Sequence, residues 1–108
     1  MVYELRIYSA NPGCMPALLA RFREHTSRLF EKHGIKNIGY WTNLAGGQSD
    51  ELYYMVAYES LGHRQPAWAA FIADPEWQQV FADTEKDGTL THHTRNMLLN
   101  PTDFSPLA

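Results

Sequence analysis

The chain has 108 residues, of which 44% are hydrophobic and 19% charged, and these values predict one globular domain over residues 1–108. The formal net charge of −3 and the lack of a basic stripe exclude nucleic acid as an expected partner, and no apolar run approaches the roughly 20 residues of a membrane-spanning helix. Cys14 is the only cysteine, which excludes an internal disulfide, and a strand at the very start leaves no room for a signal peptide, so a cytoplasmic protein is expected.

Residues 2–9 predict the first strand, because apolar and polar side chains alternate along them. One face then carries Tyr3, Leu5 and Ile7, and the other carries Glu4, Arg6 and Tyr8. An acid and a base on one face indicate that this face meets another surface rather than water. We therefore expect Glu4, Arg6 and Tyr8 at an interface with a second subunit, where the ion pair fixes the register. The alternative is that Glu4 and Arg6 orient a ligand.

The first helix is predicted from about Met15 to His33. Its apolar stripe consists of Leu18, Leu19, Phe22, Leu29 and Phe30. Gly34 is expected to end it, because glycine suits the left-handed conformation that often follows a helix. Residues 35–43 predict a second strand, and 44–50 predict a Gly-rich hairpin loop. Residues 52–58 predict a third strand that is apolar on both faces and therefore central.

Two helical segments and a last strand complete the chain. Ser60 is expected to cap the second helix, which contains Trp68, Phe71 and Ile72. The sequence Asp74-Pro75-Glu76 then predicts a restart, with a capping acid, proline at the first position and a second acid. Residues 89–99 predict the last strand, and 102–108 an extended tail that packs on a neighbour.

The predicted order of strand, helix, strand, strand, helix, strand is that of the ferredoxin-like βαββαβ fold, an α+β class with an antiparallel sheet. Right-handed crossovers place the first and third strands at the centre and the helices on one face. The other face, predicted to carry Glu4 and Arg6, needs a partner. Two such faces packed together form a dimeric α+β barrel, so a homodimer is expected.

Five short motifs, in this order, resemble those of NIPSNAP-family domains. They are residues 3–8 followed by Pro12-Gly13, His33-Gly34 followed by 39–42, then 57–61, 73–77 and 96–101. Together they extend over nearly the whole chain. The resemblance implies a dimeric α/β-barrel domain of undefined activity. It also implies a superfold that includes cofactor-free monooxygenases, haem-degrading enzymes and members without catalysis.

Three histidines, His25, His92 and His93, are candidates for a general base, because an imidazole pKa of about 6.5 suits proton transfer at neutral pH. His25 lies in the middle of the first helix, and one of the other two must point under the helices. The alternative for each is a satisfied or partly exposed histidine. Neighbouring strand residues point to opposite faces, and no HExxH or CxxC spacing occurs, so neither a metal nor a cofactor is expected. The alternative is a haem or metal site assembled from residues far apart in the sequence.

A cleft between the sheet and the helices is predicted to bind a ligand, unless its residues are plain core packing. Its expected lining is Tyr40, Trp41, Tyr54, Tyr58, Trp68 and Asn96. Two functions stay open. One is a cofactor-independent monooxygenase-like enzyme, in which a histidine deprotonates a small aromatic or apolar substrate that reacts with O₂. The other is a non-catalytic dimer that binds a small molecule or another protein.

Overall fold

The computed structural model describes residues 1–107, and within them the elements follow in the order β1-α1-β2-β3-α2-α3-β4. The strands are β1 (Val2–Ala10), β2 (Lys36–Thr42), β3 (Glu51–Tyr58) and β4 (Thr91–Leu99). The helices are α1 (Met15–Arg21, continuing through Phe22–Thr26 to Ser27–Lys32), α2 (Leu61–Ala73) and α3 (Pro75–Thr84). This order confirms the predicted ferredoxin-like α+β class. Within the described residues, no helix is long and apolar enough to cross a membrane.

β1 and β3 form the centre of the sheet, whose strand order is β2-β3-β1-β4 with antiparallel neighbours. β3 has buried residues on both faces, as its apolar sequence predicts. Along β1, Tyr8 lies opposite Thr94 of β4, and Glu4 lies opposite Leu98. Because directly opposite residues share a face, this register decides which side chains meet the helices.

α1 is one continuous helix with a wider turn in its middle. The segment Phe22–Thr26 is π-helical: the N–H of Ser27, which follows it, bonds to the Phe22 carbonyl, five residues back instead of four. Two hydroxyl groups reach back over the same distance: Thr26 donates to the Arg21 carbonyl at 3.3 Å, and Ser27 donates to the Phe22 carbonyl at 2.9 Å. Phe22 and Thr26 of this wide turn also line the cleft that is described below.

Two helix boundaries follow from the residues that the sequence places there. Gly34 has a φ of +81°, which glycine adopts without strain, and it follows the end of α1 as predicted. Asp74 caps α3 by accepting from the Glu76 N–H at 2.8 Å. The same carboxylate accepts from Lys32 Nζ at 2.9 Å and lies 2.7 Å from His33 Nε2. One side chain thus ties the end of α1 to the start of α3.

The alternation along β1 separates its two faces as predicted, but the face assigned to a second subunit lies under the helices. Glu4 accepts from Arg64 Nε of α2 at 2.9 Å, and the Arg6 guanidinium lies 4.5 Å from the ring centre of Trp68, also in α2. Tyr8 accepts from Arg6 on the same side. The predicted placement of Glu4, Arg6 and Tyr8 away from the helices is therefore wrong, because α2 supplies partners within the chain. Their contact with a second subunit stays a prediction, but it no longer follows from a charged face that lacks partners within the chain.

The face without helices, called the open face below, combines an apolar surface with an ion pair. Arg95 Nη2 lies 2.7 Å from the Glu51 carboxylate, and the Tyr53 hydroxyl donates to that carboxylate at 2.7 Å. The apolar part of the open face includes Tyr3, Leu5, Ile7, Met55, Met97 and Leu99, with Trp41 on β2. Met97 is 50% exposed and Trp41 53% exposed. This face of the sheet thus carries apolar side chains that the chain leaves partly exposed.

Of the predicted C-terminal tail, residues 102–107 lie along their own chain, and Ala108 lies outside the described residues. Pro101, Ser105 and Leu107 share a shallow cleft with Tyr3 and Met55 at one end of the open face. The tail therefore borders this surface and leaves Met97 at its middle uncovered. Its predicted packing on a neighbour stays a prediction.

Candidate functional site

A buried carboxylate, Glu4, lies at the centre of the helix-covered face of the sheet. Its side chain has no solvent exposure. Its Oε1 accepts from the Tyr58 hydroxyl at 2.6 Å and from Arg64 Nε at 2.9 Å. Its Oε2 accepts from Arg64 Nη2 at 3.0 Å, Arg6 Nη1 at 2.9 Å and Asn96 Nδ2 at 2.7 Å. Arg64 thus grips both oxygens, a geometry that fixes orientation as well as adding attraction.

These partners keep Glu4 ionised. Burial alone would raise the pKa of its carboxyl group, but hydrogen bonds from Arg64, Tyr58 and Asn96, together with the charge of Arg6, lower the pKa to about 2. Two guanidinium groups surround this one carboxylate. The cluster therefore keeps one positive charge in excess.

Arg6 connects the carboxylate to aromatic side chains. Its guanidinium faces the Trp68 ring at 4.5 Å, a cation–π geometry, and its Nε donates to the Tyr54 hydroxyl at 2.7 Å. Burial alone would lower the pKa of Arg6, but Tyr54, Tyr8 and Glu4 raise it above its ordinary value, so Arg6 stays charged. The Glu4 network, as we use the term, consists of Glu4, Arg6, Tyr8, Tyr54, Tyr58, Arg64, Trp68 and Asn96.

A cleft of about 230 Å³ opens beside the Glu4 network, between the helices and the β1–β4 side of the sheet. Its apolar lining consists of Phe22, Phe30, Trp68, Phe71, Ile72, Trp77 and Phe81, and its polar lining of Tyr8, Arg21, Thr26, Thr91 and Thr94. We call it the aromatic cleft. Mostly apolar walls with a few polar groups are typical of small-molecule sites.

A second cleft of about 230 Å³, the outer cleft, lies on the other side of α1. Its lining is Leu19, Phe22, Arg23, Ser27, Tyr40 and Leu52. It includes no member of the Glu4 network. Its polar groups are those of Arg23, Ser27 and Tyr40, and the Tyr40 hydroxyl already donates to Asn37.

None of the three candidate histidines lines the aromatic cleft. His92 and His93 are exposed on β4. His25 is half-buried on the π-helical part of α1, where its Nδ1 is buried and has no hydrogen-bond partner among the described residues. A general-base role for any of them stays a prediction. Within residues 1–107, no group of three or more His, Cys, Asp and Glu side chains could hold a metal ion.

The structure brings together four of the six residues predicted to bind a ligand. They are Tyr54, Tyr58, Trp68 and Asn96, all in the Glu4 network. Of these, Trp68 also lines the aromatic cleft. Tyr40 stacks on Tyr54 with ring centres 5.3 Å apart but lines the outer cleft. Trp41 lies opposite Tyr53 on the open face, so its predicted place between sheet and helices is wrong: it alternates with its neighbour Tyr40.

Arg64 and the cleft-lining position of Tyr8 were missed by reasoning from the sequence. Arg64 is 60 residues from Glu4 along the chain, and no local pattern joins the two. The available signal was Glu4 itself, because a buried carboxylate needs more donors than the single Arg6 beside it supplies. A buried Glu4 therefore implies a second basic side chain from a covering helix, and Arg64 of α2 is that residue.

A protein-family model and a curated relative each match most of this chain. The family model described as NIPSNAP matches residues 3–106 of this chain. Protein NipSnap homolog 3B of Mus musculus is 32% identical over 79 residues, which make up 73% of this chain and 31% of that protein. The chain thus matches about a third of the length of this curated relative.

Solved structures share the fold over its whole length. A NIPSNAP family protein from Agrobacterium tumefaciens is 30% identical, with a TM-score of 0.87 over 99% of this chain and 98% of that chain. A proposed antibiotic biosynthesis monooxygenase from Deinococcus radiodurans is 16% identical, with a TM-score of 0.65 over 100% of this chain and 99% of that one. At such low identity the second likeness is one of fold alone.

Proposed function

The chain belongs to the NIPSNAP family, and on that premise we propose that it binds a small aromatic or apolar molecule in the aromatic cleft. The observation that carries the proposal is the lining of this cleft, where aromatic rings form the walls and a few hydroxyl and guanidinium groups stand among them. Such a lining matches a flat, apolar ligand that is oriented by a small number of hydrogen bonds.

The walls of the aromatic cleft are held in place by their own contacts. The ring centres of Phe30 and Phe71 are 4.9 Å apart, those of Phe71 and Trp77 are 4.7 Å apart, and those of Trp77 and Phe81 are 5.8 Å apart. Trp68 is fixed by its N–H, which donates to the Tyr58 hydroxyl at 2.6 Å. A site formed before binding costs less ordering entropy when the ligand arrives.

The residues at the cleft support binding better than catalysis. Its lining includes no histidine, aspartate or glutamate, so no side chain there is suited to take a proton at neutral pH. A cofactor-independent monooxygenase, the other candidate, needs such a base unless its substrate arrives already ionised. Measuring oxygen uptake with each bound compound separates the two functions, because only the enzyme consumes O₂.

Replacement of Thr94 by phenylalanine is expected to weaken binding in the aromatic cleft. Thr94 is exposed on β4, opposite Tyr8, and it lines the cleft. A phenyl ring at this position therefore fills part of the cleft from the solvent side. Quinones, polyphenols, naphthalene derivatives and haem are titrated while tryptophan fluorescence and thermal unfolding are followed. We expect at least one compound to bind the unmodified protein, and the variant to bind it about tenfold more weakly or worse.

The matched control is Thr42→Phe, which places the same ring at an exposed position of β2 outside both clefts. This variant should bind as the unmodified protein does. Equal affinity in Thr94→Phe and the unmodified protein would contradict the proposed site.

We also propose that a second copy of the chain covers the open face. Leu5, Met55 and Met97 form its apolar middle, and the charges of Glu51 and Arg95 on the same face are paired with each other. An apolar surface whose neighbouring charges are paired is compatible with its own copy, and a two-fold contact buries both copies at once.

Replacement of Met97 by lysine is expected to dissociate this dimer. Burying an unpaired ammonium group is unfavourable, so the dissociation constant should rise about tenfold or more in sedimentation equilibrium. Leu98→Lys is the matched control, because Leu98 is 44% exposed on the same strand but points to the helix side. A monomeric unmodified protein, or equal dissociation of both variants, would refute the open face as the interface.

A further inference from the structure

We infer that the molecule bound in the aromatic cleft carries an anionic oxygen, as an aromatic carboxylate does, and that the Tyr8 hydroxyl donates a hydrogen bond to it. This inference rests on the proposed function, because it names the chemistry of the ligand in the same cleft. Three observations lead to it: the direction of the hydrogen bond between two tyrosines, the charge around the cleft, and the shape of its walls.

The direction of the tyrosine hydrogen bond follows from burial. Tyr54 is fully buried, and its hydroxyl oxygen accepts from Arg6 Nε at 2.7 Å. In the described part of the chain, the acceptor within reach of the Tyr54 proton is the Tyr8 oxygen, 2.9 Å away. If Tyr8 donated instead, Tyr54 would keep a buried O–H without an acceptor, an unfavourable arrangement. Tyr54 therefore donates to Tyr8.

The Tyr8 hydroxyl is left with a free hydrogen that an acceptor in the cleft can receive. Its oxygen accepts from Tyr54 and from Arg6 Nη2 at 3.1 Å, while its own proton has no acceptor among residues 1–107. Tyr8 is half-buried and lines the aromatic cleft. Because two donors polarise this O–H group, the bond that it donates is strengthened.

The charge around the cleft favours an anion over a neutral acceptor. Arg6 and Arg64 outnumber Glu4, and among residues 1–107 no carboxylate lines the cleft. Arg21, which does line it, pairs with Glu85 at 3.1 Å, and its buried Nε has no hydrogen-bond partner in the described part of the chain. An anionic oxygen near Tyr8 therefore meets a positive potential in partly desolvated surroundings, where charges interact more strongly than in water.

The walls specify the rest of the ligand. Trp68 and Phe30 meet edge-to-face with ring centres 5.2 Å apart, and both line the cleft together with Phe71. Aromatic side chains of this kind pack best against another flat ring. The class of ligand is therefore an aromatic ring with an anionic oxygen on its edge, rather than an aliphatic acid or a neutral hydrocarbon.

The test compares three probes that share one ring system: 2-naphthoate, naphthalene and 2-naphthylmethylamine. Affinities are measured by fluorescence titration at neutral pH, below the melting temperature of every variant. We expect the unmodified protein to prefer 2-naphthoate over naphthalene by about tenfold or more, as a hydrogen bond to a charged group allows, and to bind the amine most weakly. In Tyr8→Phe this preference should disappear while naphthalene binding is retained.

Two further variants make the result specific. Tyr53→Phe removes a tyrosine hydroxyl from the open face, away from the cleft, and should keep the preference. Tyr8→Phe also takes away the acceptor of the Tyr54 hydroxyl, so the double variant Tyr8→Phe/Tyr54→Phe removes both groups and should lose the preference equally.

Each outcome decides a separate point. Binding of naphthalene without a preference for 2-naphthoate, or a preference that survives in Tyr8→Phe, overturns this inference and leaves the proposed function standing. If none of the three probes binds and no compound of the wider panel does either, the proposed function fails and this inference fails with it.

Discussion

Glu4→Gln is expected to remove about 3–5 kcal/mol from the free energy of unfolding, the usual result of taking one partner out of a buried ion pair. The Arg6 and Arg64 side chains are only 16% and 27% exposed, so the variant leaves two partly buried cations facing an uncharged amide. The amide nitrogen of glutamine is itself a donor, so it cannot accept the hydrogen bonds that Arg6, Arg64 and Asn96 donate to the carboxylate. Such a loss is a large share of the about 5–15 kcal/mol that stabilises a typical domain.

Urea denaturation followed by circular dichroism measures this effect. The matched control is Glu76→Gln, which breaks an ion pair with Arg28 at 2.6 Å whose partners are 44% and 53% exposed. Pairs at the surface contribute little, so the control should unfold close to the midpoint of the unmodified protein. Equal midpoints for both variants would show that the Glu4 network does not stabilise the fold.

The same carboxylate should make stability depend on pH in the acid range. The folded-state pKa of Glu4 is about 2, below the ordinary value of 4.5. A lowered pKa contributes stability that is fully present above pH 4.5 and is lost as the pH falls toward about 2. The difference in unfolding free energy between the unmodified protein and Glu4→Gln should therefore shrink over this interval, which a series of denaturation curves tests.

Phe30→Ala is expected to destabilise the protein by about 3–5 kcal/mol, as truncation of a buried aromatic side chain usually does. Phe30 is 1% exposed and connects the sheet to α2: its ring centre lies 6.1 Å from that of Tyr54 in the sheet, and 5.2 Å and 4.9 Å from those of Trp68 and Phe71 in α2. The substitution removes the ring against which these two side chains of the aromatic cleft pack.

The control for this variant is Phe104→Ala. Phe104 lies in the tail and is 84% exposed, so its truncation should change the free energy of unfolding by no more than about 0.5 kcal/mol. Thermal and urea unfolding of both variants give the comparison. If Phe30→Ala is as stable as Phe104→Ala, the aromatic wall is not the support that its contacts indicate.

The order and type of the elements could be predicted because their signals are local. Gly34 marks the end of α1 by its own conformational freedom, and Asp74 followed by Pro75 marks the start of α3. The π-helical turn at Phe22–Thr26 was not predicted, because the apolar stripe continues through it and reads as ordinary helix. Local chemistry thus determines where elements begin and end, but not every irregularity within them.

The face of β1 that meets the helices could not be predicted from the alternation. A period of two shows which side chains share a face of the strand. It does not show which of the two faces the helices cover when neither face is fully polar. The donors that satisfy Glu4 come from far along the chain, 60 residues away for Arg64 and 92 for Asn96. Without those partners in view, a charged strand face is read as one that needs another subunit.

The candidate histidines show the same limit at the edge of the sheet. His92 and His93 lie on β4, an outer strand, and the helices leave both of them exposed. The sequence places them on a strand correctly, but how far a helix layer reaches over an outer strand depends on tertiary packing. A cleft between the sheet and the helices was predicted, but Trp68 is the one predicted ligand-binding residue among those that line the aromatic cleft.

The wide turn of α1 has a consequence for changes in chain length. A carbonyl bonded to the fifth residue ahead rather than the fourth holds one surplus amino acid within that turn. Deleting the exposed Arg23 or Glu24 would restore ordinary spacing and leave Phe22 and Phe30 aligned on the same side. A deletion just after Ser27 would instead swing Phe30 by about 100° around the axis. Shortening by one amino acid is therefore tolerable at this single turn of α1 and harmful further along.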